Sequence, residues 1–313
     1  MTIPDYPVAQ LPAALKERVW AALEQRQYGR AAADLAAYLA SGERDPAALI
    51  CLARCRVEEA RWGPFEEILL RAQEGLELLR EASGRGAPAP LLRKPRARIG
   101  AVQRAEQQLQ ALETAPPAAL TDGQVEWMRG RAFALDSRKK EAPDLLTAAR
   151  LWRTLHGYAQ AIPSANRPEN GYYYQARAGL AFAEGGRLDL ALPICETVLA
   201  WQLPGNPHRY WVPEAIHRTL LVQAIGRGDR AAFVEHWRAS LAVADKQGSF
   251  FPATPAMQDR LLAQALEWRM PEICRHVLDV IIERRPARKR TPETHDLIRR
   301  ALLFLSDAPP GRD

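Results

Sequence analysis

The chain has 313 residues, 47% of them apolar and 26% charged, with a formal net charge of +6, enough for one large domain or two ordinary ones. Four cysteines are too few for a disulfide-built scaffold, and no uncharged apolar run reaches the roughly 18 residues of a spanning helix. Positions 1–12 lack the basic-then-apolar order of a secretion signal, so the expectation is a basic, soluble, cytoplasmic protein.

Along the chain, apolar residues recur three and four apart, as in Leu15, Val19, Ala22 and Leu23, and again in Leu69, Ala72, Leu76 and Leu79. Strand-like alternation is nearly absent, and even Val277–Ile282 reads as a buried helical face, so the predicted fold is all-α. The helices come in pairs joined by short polar turns, Arg26–Ala31 and Glu59–Pro64 among them. Tyr28-Gly29 and Trp62-Gly63 stand 34 residues apart, the period of a stacked helix–turn–helix repeat. Proline and glycine in 85–98 and the polar run 162–171 predict loops inserted between helices. The resulting division is 1–84, an N-terminal set of helical repeats; 85–98, a basic loop; and 99–313, central and C-terminal repeats ending in a basic segment.

Gly179, Phe182, Gly186, Leu188 and Ala191, with the turn Glu184–Asp189, follow the order of small residue, aromatic, turn and small residue that marks tetratricopeptide repeats. Gly228-Asp229 followed by Phe233, Trp237 and Leu241 resembles a further unit, and Gly130 with Phe133 repeats the spacing of Gly179 and Phe182. Phe65 and Phe233 stand where that family prefers alanine, so the units are divergent. The resemblance implies an α-solenoid that acts as a protein-binding scaffold. Asn170–Leu180, the linker with Tyr210-Trp211 and the stretch from Ala215 to Ala224 also resemble the central repeats of the TRAFs-binding domain. That module occurs in apoptosis signal-regulating kinases and in bacterial signalling and defence proteins. The similarity covers roughly 120–245 and implies a regulatory, protein-docking role.

Charge is concentrated. The stretches 80–104 and 283–300 hold fourteen basic residues against four acidic ones, a surplus larger than the net charge of the whole chain, so the remainder is mildly acidic. Two readings stay open: solubility and helix-end charge, or a docking patch for an anionic partner formed by Arg93, Lys94, Arg96, Arg98, Arg288, Lys289 and Arg290. A nucleic-acid-associated subunit is the alternative function that this patch supports.

Catalytic signatures are missing from the sequence. There is no Gly-x4-Gly-Lys-Ser/Thr loop, and the glycine pairs at 185–186 and 226–228 join helix to helix. Cys51 and Cys55 could share a helix face but lack nearby histidines, so they, Cys195 and Cys274 read as buried thiols and no metal is expected. The histidines are scattered, and neighbouring carboxylates such as Glu58-Glu59 point different ways on a helix. The expectation is a non-enzymatic scaffold or adaptor with no cofactor and no small-molecule substrate.

Aromatics gather around 172–211. They read either as wedges between repeats or as a partner-binding groove formed by Tyr172, Tyr173, Tyr174, Tyr210 and Trp211, with Arg177, Arg209 and Arg218 as carboxylate clamps.

Overall fold

The computed structural model describes residues 6–307 apart from 43, 138–140, 163–167, 202–210, 248, 250 and 253. Among these residues it has fourteen α-helices and no strand, so the chain is all-α. Contacts divide the chain between Ile194 and Cys195, whereas the sequence alone carries 99–313 through as one block.

The first unit contains α1 (Ala13–Glu24), α2 (Tyr28–Ala40), α3 (Pro46–Trp62), α4 (Ile68–Gly84), α5 (Ala89–Thr114), α6 (Asp122–Ser137), α7 (Ala142–Ala161), α8 (Pro168–Glu184) and the start of α9 (Leu188–Ala200). Consecutive helices pack from α1 to α5 and from α6 to α8, and α7 also touches α3 and α5. Helix α3 is buried without a break from Ala47 to Cys55, as expected of a helix that is apolar on most of its circumference. Leu35, Leu49, Ile50, Leu79 and Ile99 form one core around it; Met128, Leu151, Trp152 and Leu155 form another between α6, α7 and α8. Each such side chain contributes about 1.5–3 kcal/mol by leaving water.

The second unit contains α10 (Trp211–Arg227), α11 (Arg230–Gln247), α12 (Pro255–Glu267), α13 (Pro271–Arg284) and α14 (Pro292–Asp307). Helix α10 packs on α11, and α14 packs on both α12 and α13. Val277, Leu278, Val280 and Ile281 of α13 are buried, as the apolar run predicts, but Ile282 is 49% exposed.

Five helices end in the same way. The residue after the last turn takes positive φ, and the next amide reaches back five residues: Gln27 to Ala22, Ala87 to Ala82, Arg187 to Phe182, Asp229 to Ala224 and Met270 to Ala265. This Schellman ending reverses the chain directly into the next helix. Glycine takes the left-handed position at 86, 186 and 228, but Arg26 (φ 57°) and Arg269 (φ 53°) take it at the other two.

The predicted loop 85–98 is largely helical. Only 85–88 lie outside helices; α5 starts at Ala89 and keeps Pro95 in its interior. Pro90 sits in the first turn, where a missing N–H costs nothing and a fixed φ helps nucleation, so proline here marks a helix start and not a break. At the other predicted loop, α7 runs to Ala161 and α8 begins at Pro168, and 163–167 lie outside the described residues.

Phe65, out of place for a regular repeat, lies in a one-turn 3₁₀ segment between α3 and α4. Its ring stacks on Phe182 (centroids 6.3 Å apart) and is flanked by the guanidiniums of Arg150 (4.8 Å) and Arg187 (5.0 Å). Phe233 is fully buried and meets Trp268 edge-on at 5.1 Å.

Candidate functional site

The aromatic residues singled out in the sequence are mainly structural. Tyr172 and Tyr174 are buried (2% and 4% exposed), which corrects their assignment to a partner-binding groove. Alternation on a helix sends these two and Tyr173 in different directions: Tyr174 stacks on Trp152 (5.6 Å, 19°), while half-buried Tyr173 meets the same indole edge-on (5.9 Å). Phe133, despite its repeat-like spacing, is 41% exposed where Phe182 is fully buried. Arg177 is not a free clamp: it is ion-paired with buried Asp136, and its guanidinium lies 5.9 Å from each of Phe133, Trp152 and Tyr173. Arg218 pairs with Glu214 one turn earlier at 2.6 Å. Trp211 is half-buried in the first turn of α10, and Arg209 and Tyr210 lie outside the described residues.

The basic residues also fall into different environments. Arg93, Lys94, Arg96 and Arg98 are exposed, on helix α5 and not on a loop. From Ala89 to Ala105 this helix carries these four and Arg104 with no acidic residue. At the C-terminal stretch, Arg290 is half-buried and donates to the carbonyls of Arg285 (2.7 Å) and Ile282 (3.2 Å), closing the end of α13. That local role corrects its assignment to an anion patch, because a guanidinium spent on helix-end carbonyls is not offered to a partner. Its neighbours Arg288 and Lys289 remain exposed.

What the sequence does not disclose is a trough between α5 and α6. One cleft of about 440 Å³ is lined by Arg98, Ala101, Val102, Ala105 and Leu109 of α5, Trp127, Arg131 and Leu135 of α6, and Leu151 of α7. A second hollow of about 390 Å³ shares Gln108 and Trp127 with the first and continues past Ala111, Leu112 and Gln124. Trp127 is 45% exposed on this wall, whereas Leu109, Leu135 and Leu151 are buried beneath it. Its position gives a flat apolar ring to the trough that no neighbouring side chain covers fully.

A buried ion cluster ties α5 to α7 beside the trough. Arg150 of α7 donates from both terminal nitrogens to Glu106 of α5 (2.9 and 2.8 Å), and from Nε and Nη2 to Glu113 (2.9 and 2.6 Å). Arg150 and Glu106 are 4% and 5% exposed. Burial pulls the guanidinium pKa down, but hydrogen bonds and charge from Glu113 and Glu106 more than offset this and hold it above its ordinary value. Arg150 therefore stays charged, and Glu106, although it lines the trough, has its charge neutralised.

Other reactive side chains are muted. All four cysteines are buried free thiols; burial pushes Cys55 and Cys195 up to about 12 and Cys274 to about 11, far from thiolate chemistry at neutral pH. The fold does bring together two histidines that the sequence leaves apart: His217 of α10 and His236 of α11, with ring centroids 5.6 Å apart. Among the described residues no group of three His, Cys, Asp or Glu side chains is placed to hold a metal, and no described helix is long and apolar enough to cross a membrane.

Comparison of the chain with protein-family models, curated proteins and solved structures finds no match.

Proposed function

We propose that this protein is a divergent helical-repeat docking module, a scaffold or adaptor of tetratricopeptide-like design, which holds a segment of a partner protein in the α5–α6 trough by binding and not by catalysis. The observation that carries the reading is the trough, with Trp127 on its wall, buried leucines below and a charge cluster that ties its α5 wall to α7. From Arg98 to Leu112 the α5 wall extends about 21 Å at 1.5 Å per residue, the length of roughly four helical turns of ligand. Half-exposed tryptophan above buried apolar residues is the composition of an interface anchor. The repeat-like order of Gly179, Phe182, Gly186, Leu188 and Ala191 supports the scaffold class.

A second reading, association with nucleic acid, is favoured by one observation, the acid-free basic run on α5. Salt separates the two: phosphate neutralisation gives affinity that falls steeply with ionic strength, and an apolar trough does so much less.

A photocrosslinking amino acid at Ala105, inside the trough, tests the proposal in the native host, with the same group at exposed Glu77 as control. Crosslinks from position 105 to one protein segment, absent from position 77, are expected. Crosslinks to nucleic acid, or the same products from both positions, contradict it.

A further inference from the structure

We infer, building on the docking reading above, that the occupant of the trough is an acidic amphipathic helix of a partner protein. The charge left unspent on the rim is positive. Arg131 is exposed and has no acidic partner among the described residues. Arg98 is 52% exposed and reaches only Glu58, at 3.5 Å, a carboxylate that Arg61 already engages at 2.6 Å. Of the acids lining the cleft, Glu106 is consumed by Arg150, which leaves Asp144. A partner with carboxylates along its flanks therefore gains charge-assisted contacts that a neutral or basic one lacks.

Shape selects a helix. Ala101 and Ala105 lie one turn apart on α5, both exposed and both lining the cleft, so another backbone can approach closely at that wall. Val102, Leu109 and Leu151 supply an apolar floor for side chains spaced three and four apart. Among the described residues no strand offers an edge for extended pairing. Single-stranded nucleic acid would instead call for a series of aromatic platforms beside its phosphates, and among the described residues lining the cleft Trp127 is the one aromatic.

The test uses the full chain and three labelled synthetic peptides of about 18 residues with identical apolar spacing, whose polar faces are glutamate, glutamine or lysine, followed by anisotropy. The glutamate peptide should bind, and the lysine peptide should bind at least about tenfold more weakly. Reversing Arg98→Glu and Arg131→Glu together should invert that order; both side chains are exposed, and unchanged helicity checks the fold. Equal affinity for all three peptides, or no binding of the glutamate peptide, overturns the acidic-helix assignment. Equal affinities that Ala105→Trp nonetheless abolishes leave the docking trough standing, whereas peptide binding indifferent to Ala105→Trp removes the trough itself. Displacement of the glutamate peptide by a single-stranded oligonucleotide, with a steep salt slope, overturns the inference in favour of nucleic acid. Displacement by self-association of the chain overturns it in favour of a second copy.

Discussion

Tyr28 and Trp62, 34 positions apart in the sequence, meet with ring centroids 6.0 Å apart, and the Arg26 guanidinium lies 4.7 Å from the indole ring. The contact joins the turn between α1 and α2 to the turn between α3 and α4. Arg26 holds the left-handed backbone conformation (φ 57°), and beyond the indole its side chain reaches Glu141 at 2.9 Å. Arg269 adopts the same backbone conformation while its side chain is exposed.

These two positions should therefore respond differently to glycine. Arg269→Gly should raise unfolding free energy by about 0.5–1 kcal/mol, since a non-glycine residue in this region carries roughly 1–2 kcal/mol of strain, part of which glycine's extra unfolded-state entropy cancels. Arg26→Gly gains the same relief but loses the indole and Glu141 contacts, so its effect should lie near zero or below. Urea unfolding of both variants checks this; equal gains would mean that the Arg26 side chain contributes nothing.

The Arg150 cluster should be costly to break from one side. Arg150→Ala leaves Glu106 buried without its partner, and a loss of about 3–5 kcal/mol is expected. Arg150→Met combined with Glu106→Gln removes the two most buried charges, leaves Glu113 to Arg153 at 3.2 Å, and should recover part of that loss, because uncharged residues avoid the desolvation cost. A double variant as unstable as the single one would show that packing and not charge dominates here.

Gly75 and Gly84 of the same helix α4 should respond with opposite sign to alanine. Alanine is intrinsically better in helices by about 0.5–1 kcal/mol, and nothing lies within 4 Å of a Cβ added at Gly84, so stability should rise there. A Cβ at Gly75 would sit 3.0 Å from the Ala53 carbonyl oxygen and 3.1 Å from Ile99 Cδ1. Since a backbone atom cannot step aside cheaply, Gly75→Ala should lose about 1–3 kcal/mol in thermal or urea unfolding.

Acid should loosen the second unit through its histidine pair. Burial, followed by the charge of neighbouring His236, lowers His217 from 6.5 to about 4, with Glu235 opposing. Burial and Arg227 lower His236, against Glu235 and Asp229. Both Nδ1 atoms are buried without hydrogen-bond partners among the described residues. Between pH 6.5 and about 4 the unfolded chain binds more protons, so this contribution is fully present above pH 6.5 and is lost as pH falls towards 4. His217→Gln with His236→Gln should flatten the melting temperature across that window; an unchanged slope would assign the acid sensitivity to other groups.

Helical periodicity and the glycine turns at 185–186 and 228 were legible because each signal lies within one turn or one helix face. The positive-φ endings at Arg26 and Arg269 were not, since arginine carries no local mark of that conformation. Prolines at 88 and 90 read as breakers because the start of a helix and a loop favour the same residue, and Pro95 reads so although α5 carries it in its interior. The three consecutive tyrosines showed an aromatic cluster but not which ring points inward, a matter decided by α7 and its Trp152. The trough depends on α5, α6 and α7 meeting across up to about fifty residues of chain, and exposed Ala101 and Ala105 with Trp127 gave no short-range pattern that could have located it.

The most direct measurement of the central claim is the affinity of the partner captured through position 105 for the unaltered chain and for Ala105→Trp, which fills the trough from an exposed position. A loss of about tenfold or more, with helicity and melting temperature unchanged, is the predicted result. The same affinity for both proteins would contradict it.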